Sequence, residues 1–198
     1  MCSNDQTIIY DFETTGLNPF HDNIIEFAFS NINTKITISG LVNPGYLISN
    51  EIIKITKITN KMLQSASNMS AYLPSIIDFI SPKKDETIYI VAHNADGFDR
   101  HFTNRLLISA NISPASLKLH NIDTLLLAKK LLPNLKRFNL GVIANYFKIK
   151  AGNHRADGDV FTLERVYERL LLILAPKLDI DVTELLMSPK IVYDYIYN

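Results

Sequence analysis

The chain has 198 residues, 47% of them apolar and 20% charged, enough to bury a core within the roughly 100–200 residues expected of one domain. Those figures exclude disorder as the general state. Twenty Lys and Arg balance twenty Asp and Glu, so no whole-molecule field selects nucleic acid or an anionic membrane, and any charge argument must be local.

The start of the chain, "MCSNDQT", lacks the basic-then-apolar pattern of a signal peptide. Its lone cysteine, Cys2, excludes an internal disulfide or a cysteine metal cluster. Strand-like runs follow at Thr7–Phe12, Ile24–Ser30 and Lys35–Leu41, joined by "TTGLNPFHDN" and "NINT", which carry turn chemistry. Helical spacing covers about Asn50–Ser65 and Ala71–Ile80, then a fourth strand Thr87–Ala92 and a helix from about Asp96 to Ala110. A fifth strand fits Leu117–Asn121. Helices are then expected over about Leu125–Leu132, Leu140–Tyr146 and Asp157–Leu174, with a last one within Val182–Ile196. Strands first and strand–helix alternation afterwards predict an α/β fold with one mixed sheet and helices against it. With no internal repeat or linker, residues 1–198 read as one domain, motif-bearing over about 7–174 with a helical extension over about 175–198. Apolar runs such as Leu170–Ala175 are far too short to span a bilayer, so an intracellular, soluble chain without membrane attachment is expected.

Three acidic clusters break the apolar pattern. In the first strand Ile9, Asp11 and Glu13 share one face and Ile8, Tyr10 and Phe12 the other, so two like charges converge at the strand end. In "VAHNADGFDRHF", Asp96 is placed to cap a helix, whereas Asp99 lies on the stripe of Phe102, Leu106 and Ala110 that should face inward. In "HRADGDVFTLERVYERLL", Asp159 leads the apolar stripe of Leu163, Val166, Leu170 and Ile173, whereas Asp157 leads the exposed one of Phe161, Glu164 and Glu168. Four carboxylates brought together cannot all ionise unaided, and divalent cations remove that conflict. Oxygen donors select hard ions such as Mg²⁺ or Mn²⁺, and two such ions about 4 Å apart suit phosphodiester hydrolysis.

"DFETTG", "HNADGFD" and "HRADGD" resemble, in order and spacing, the three motifs of the DEDDh 3′→5′ exonucleases. That RNase H-like group includes the epsilon subunit of bacterial DNA polymerase III, RNase T, oligoribonuclease and the three-prime repair exonucleases. The six residues from His93 to Asp99 are similar to the three-prime repair type; the epsilon type has one fewer. The resemblance implies a mixed five-stranded sheet flanked by helices. It implies Asp11, Glu13, Asp99 and Asp159 as ligands of two Mg²⁺ ions, with Mn²⁺ able to substitute, and His154 as the general base toward the attacking water. It also implies substrate contacts from Thr14, Thr15, Gly16, Leu17, His93 and Asn94. The expected substrate is a single-stranded or frayed 3′ end, with DNA favoured over RNA. A second copy of the chain is a candidate partner, because dimers are common among relatives. From Thr124 to Ala156 there is no acid, while Lys129, Lys130, Lys136, Arg137, Lys148, Lys150 and Arg155 are interleaved with Phe138, Tyr146 and Phe147. That stretch is a candidate phosphate-tracking edge.

Overall fold

The β-branched and aromatic runs at the start of the chain form β1 (Gln6–Thr14), β2 (Ile24–Asn31) and β3 (Ile36–Leu41), an antiparallel meander. The computed structural model describes residues 5–83, 86–152 and 155–198. After the meander come α1 (Asn50–Thr56), α2 (Asn60–Gln64) and α3 (Met69–Ile80), then β4 (Ile88–Ala92) and α4 (Asp99–Ser109). A 3₁₀ turn at Pro114–Ser116 leads into β5 (Leu119–Asp123), followed by α5 (Thr124–Leu131), α6 (Leu140–Tyr146), α7 (Ala156–Leu178), α8 (Val182–Met187) and α9 (Pro189–Tyr197). The five strands lie in the order β3-β2-β1-β4-β5, with β4 parallel to both β1 and β5. This is the mixed five-stranded sheet flanked by helices that the RNase H-like reading anticipates.

The two faces of β1 divide the core. Ile8, Tyr10 and Phe12 pack with Phe27, Phe29 and Ile90 beneath α3 and α4, through Ile76, Ile80, Phe102 and Leu106. Ile9 packs with Ala28, Val91 and Ile122 beneath α5, α6 and α7, through Leu127, Ile143, Leu163, Val166 and Leu170. Continuing the strand beyond Ile9 therefore delivers Asp11 and Glu13 to the face covered by α7.

Local chemistry shifted several expected boundaries. The helix expected over Asn50–Ser65 is two, because Lys57 adopts a left-handed φ of 62° and returns its N–H to Ile53 O. The Thr56 hydroxyl meanwhile donates to Ile52 O and accepts from Ile58 N–H, closing α1 before Thr59 caps α2. The segment within Val182–Ile196 is also two helices, divided where Ser188 N–H returns to Glu184 O and Pro189 opens α9. Asp96 is not a helix cap. The chain turns through 94–98, with Asn94 at φ 66°, and α4 begins only at Asp99, preceded by Phe98 without a side-chain cap. The fifth strand covers Leu119–Asp123 rather than Leu117–Asn121, with Leu117 serving as the C-cap of the 3₁₀ turn. Among the described residues, no helix is long and apolar enough to cross a membrane.

Leu163 is 1% exposed where α7 meets the sheet, whereas Phe161, on the outer face of the same helix, is 57% exposed. Leu163→Ala should cost about 2–5 kcal/mol in urea unfolding, and Phe161→Ala within about 0.5 kcal/mol of zero.

Candidate active site

Asp11 and Glu13 stand opposite Ala28 and Glu26 in the ladder, and the register shifts between Glu13 and Thr14. The ladder thus bulges directly after the second acid and resumes at Thr14 opposite Ile24, with Thr15 N–H bonded to Asn23 O at 2.9 Å. Asp159, in the first turn of α7, comes down onto this strand end. One carboxylate oxygen from each of Asp11, Glu13 and Asp159 lies within 4.8 Å of the others. Asp99, the first residue of α4, is 3% exposed, and its Oδ1 has no hydrogen-bond partner. It stands close enough for its charge to act on Asp11. The neighbouring acids face elsewhere. Asp96 binds Arg100 Nη1 at 3.2 Å and the Tyr197 hydroxyl at 3.0 Å, and exposed Asp157 accepts from Gly158 N–H at 2.8 Å.

The electrostatics record this crowding. Burial, then the charges of Asp99, Glu13, Asp159 and Glu26, hold the Asp11 carboxyl well above its usual range. Glu13 is pushed up to about 7, by burial first and then by Asp159 and Glu26, with Arg155 pulling the other way. Burial raises Asp99 as well, against backbone hydrogen bonds at Asp99 itself and Phe12. Crowded, raised carboxyls and an orphaned buried carboxylate oxygen are what a hard divalent cation would satisfy, so the donor set fits a metal.

A family model described as exonuclease, of the RNase T type, matches residues 8–167. The chain is 33% identical over 170 residues to the PolC-type DNA polymerase III of Caldanaerobacter subterraneus subsp. tengcongensis, covering 83% of this chain and 11% of that protein. It is 31% identical over 172 residues to the corresponding polymerase of Ureaplasma parvum serovar 3, again covering 83% of this chain and 11% of the relative. Among solved structures it is similar to exonuclease I, with a TM-score of 0.70 at 20% identity over 96% of this chain and 43% of that one. It is also similar to the zinc-bound form of the E. coli exonuclease I complex with single-stranded DNA, with a TM-score of 0.72 at 21% identity over 96% of this chain and 42% of that one. The chain belongs to the exonuclease family. The exonuclease class and the RNase H-like fold read from the sequence agree with that membership. The chain spans about a tenth of the length of the curated relatives it matches.

Within this family member, His154 lies outside the described residues, but the described residues on either side of it are tied down. Gly152 N–H donates to Thr162 Oγ1 at 2.8 Å. A Cβ on Gly152 would sit 2.1 Å from Asp159 Oδ1 and 2.8 Å from the Gly158 carbonyl carbon, so glycine alone allows this approach. On the other flank, Arg155 Nε and Nη2 grip the Glu26 carboxylate at 3.0 and 2.6 Å, and Ala156 N–H adds a bond at 2.9 Å. Sequence reasoning missed Glu26. An acid in the second strand, on the face that Ala28 shows to be inward, was the available signal. It also placed Arg155 in the phosphate-tracking edge, whereas Arg155 is committed to Glu26. Lys130 is committed too, donating to the carbonyls of Tyr195 and Ile196 at 2.8 Å each. Lys136, Arg137, Lys148 and Lys150 remain exposed.

The residues expected to meet substrate divide in two. Leu17 is 83% exposed and Asn94 is exposed. Thr14 and Thr15 spend their hydroxyls inside the turn, on Gly16 O at 2.6 Å and on Asp22 Oδ1 at 3.0 Å. A Cβ on Gly16 would meet the Asp22 carboxylate at 2.4 Å. His93 points inward, with Nε2 2.7 Å from Phe138 O and Nδ1 3.0 Å from Thr124 Oγ1. Since a carbonyl can only accept, Nε2 carries a hydrogen; burial lowers the imidazole pKa.

A carboxyl raised in the fold favours folding below its unfolded pKa and loses that effect as pH climbs through the folded value. For Glu13 that window runs from 4.5 to about 7. The Tm in EDTA should therefore fall from about pH 5 to about pH 8, and Mn²⁺ should raise it more at the upper end, as read by differential scanning fluorimetry. Glu26→Ala should destabilise by about 3 kcal/mol in chemical denaturation, because it strands a guanidinium and a buried helix N–H.

Proposed function

We propose that the chain releases 5′-nucleotides from the 3′ end of single-stranded or frayed DNA, with residues 1–198 acting as one exonuclease unit. The observation that carries this reading is the convergence of Asp11, Glu13 and Asp159 with the partnerless Asp99 Oδ1 beside them. Asp11, Glu13, Asp99 and Asp159 hold two Mg²⁺ ions, which Mn²⁺ can replace. The cations supply charge neutralisation at the scissile phosphate and a route to hydroxide at neutral pH.

The remaining roles belong to the chain itself. His154 takes a proton from the attacking water, a task suited to an imidazole with an ordinary pKa near 6.5. Gly152 and Arg155, the described residues on either side of it, are held by Thr162 and Glu26. The turn from Thr14 to Leu17 receives the terminal nucleotide, with Leu17 against its base and the Thr15 and Gly16 backbone near its sugar and phosphate. Asn94 approaches from the neighbouring loop, and His93 fixes that loop by its internal bonds. DNA is favoured over RNA because the relatives named above are DNA polymerases and a similar solved structure holds single-stranded DNA.

Degradation of matched 3′-labelled single-stranded DNA and RNA, with Mg²⁺, Mn²⁺ or EDTA, tests this directly. DNA should lose label only with metal, and Asp159→Asn and His154→Ala should each slow the loss by about 10²- to 10⁴-fold. Metal-independent loss, or none from either polymer, overturns the assignment. Faster loss from RNA moves the substrate class.

A further inference from the structure

The family match ends at residue 167, yet the last helix, α9, reaches back to the loop that delivers Asp99. The Tyr197 hydroxyl donates to Asp96 Oδ2 at 3.0 Å. Asp96 is held from the other sides by Arg100 Nη1 on Oδ1 at 3.2 Å and by its own N–H on Asp123 Oδ2 at 3.2 Å. Asp123, 1% exposed, also takes Asn94 N–H at 3.0 Å and caps α5 through Leu125 N–H at 2.8 Å. The turn 94–98 thus hangs between the end of β5 and the end of α9.

Helix α9 is itself anchored on both sides. Lys130 of α5 binds its last carbonyls at Tyr195 and Ile196 and lies over the Tyr195 ring, with Nζ 5.4 Å from the centroid. A cation there completes orphan carbonyls and opposes the negative end of the helix dipole. Tyr193 packs edge-on against Tyr89 of β4 and His120 of β5, and its ring centroid lies 4.8 Å from that of Tyr197. The Tyr197 ring, 37% exposed, leans on Tyr193 and so carries its hydroxyl toward Asp96.

This matters because α4 has no side-chain cap of its own. The turn before Asp99 carries a left-handed Asn94 and is exposed at 94 and 97; its own bonds, Gly97 N–H and Phe98 N–H to Asn94 O, close it, and bonds from outside add to what sets its position. The geometry points to Tyr197 as a positioning residue. Acting through Asp96, it fixes the turn 94–98 and thereby the Asp99 carboxylate, which makes α9 a working part of the exonuclease site. The catalytic consequence rests on Asp99 serving as a cation ligand, as proposed above; the brace itself does not.

Tyr197→Phe removes one oxygen and keeps the ring, and Lys130→Met loosens α9 from its far side. In metal-free protein, hydrogen exchange at 94–98 should quicken about threefold to tenfold in Tyr197→Phe while β4 is unchanged. Mn²⁺ binding followed by electron paramagnetic resonance, without substrate, should weaken about threefold to tenfold, and Lys130→Met should move both readouts the same way by less. Unchanged exchange at 94–98 overturns the brace. Faster exchange with unchanged Mn²⁺ affinity overturns its role at the site if Asp99→Asn does weaken Mn²⁺ binding. If Asp99→Asn binds Mn²⁺ as tightly as the parent protein, the metal assignment falls instead, and exchange alone decides the brace.

Discussion

Everything around this site answers to one constraint: carboxylates gathered at partly buried positions where water screens them incompletely. Two like charges 4 Å apart repel by about 4 kcal/mol at an effective dielectric of 20. Here Asp11, Glu13 and Asp159 have oxygens within 4.8 Å of one another, with Asp99 buried alongside. The metal-free fold meets the conflict by raising carboxyl pKa values, as at Glu13 and Asp11. Such a cluster is held ready for cations at the expense of stability, a trade that functional sites commonly make.

Glu26 would be a fifth charge in the same crowd. It is tolerable because Arg155 and Ala156 N–H neutralise and bind it from α7, and the same bonds seat the start of that helix against β2. One ion pair thus relieves repulsion and places Asp159. Its guanidinium also lowers the Glu13 pKa, so the pair bears on the electrostatics of the cluster as well as on its shape. The opposite flank is set differently. Asp99 arrives on a turn without a cap, held by Asp123 beneath and Tyr197 beyond, and both are remote from it in sequence.

Much of this was legible in the chain because periodicity survives folding. Alternation put Ile9, Asp11 and Glu13 on one face, and that face is the one α7 covers. Helical spacing separated Asp159 from Asp157, and the structure turns the first toward β1 and leaves the second in solvent. Where a side chain competes with the backbone, spacing misled. Threonine hydroxyls ended α1 early, Asp96 left the cap position to bind Tyr197, and His93 turned inward to Phe138 and Thr124. Charge counting misled as well, since Lys130 and Arg155 read as free cations until their partners came into view. In motif two, a one-residue difference in spacing resembles one branch of the family, while the relatives named here are PolC-type polymerases. A single residue in a turn is weak ground for sorting branches, because turns absorb insertions readily.

By itself the sequence determined the order of the five strands, the face on which each acid lies, and the family, since all three follow from local period and motif spacing. Tertiary structure decided which distant groups meet: Glu26 with Arg155, Asp123 with the turn 94–98, Tyr197 with Asp96. Those contacts join residues from 27 to 129 positions apart. No periodicity spans such separations; only the closing of the sheet and the packing of α7 and α9 bring the partners within hydrogen-bond reach.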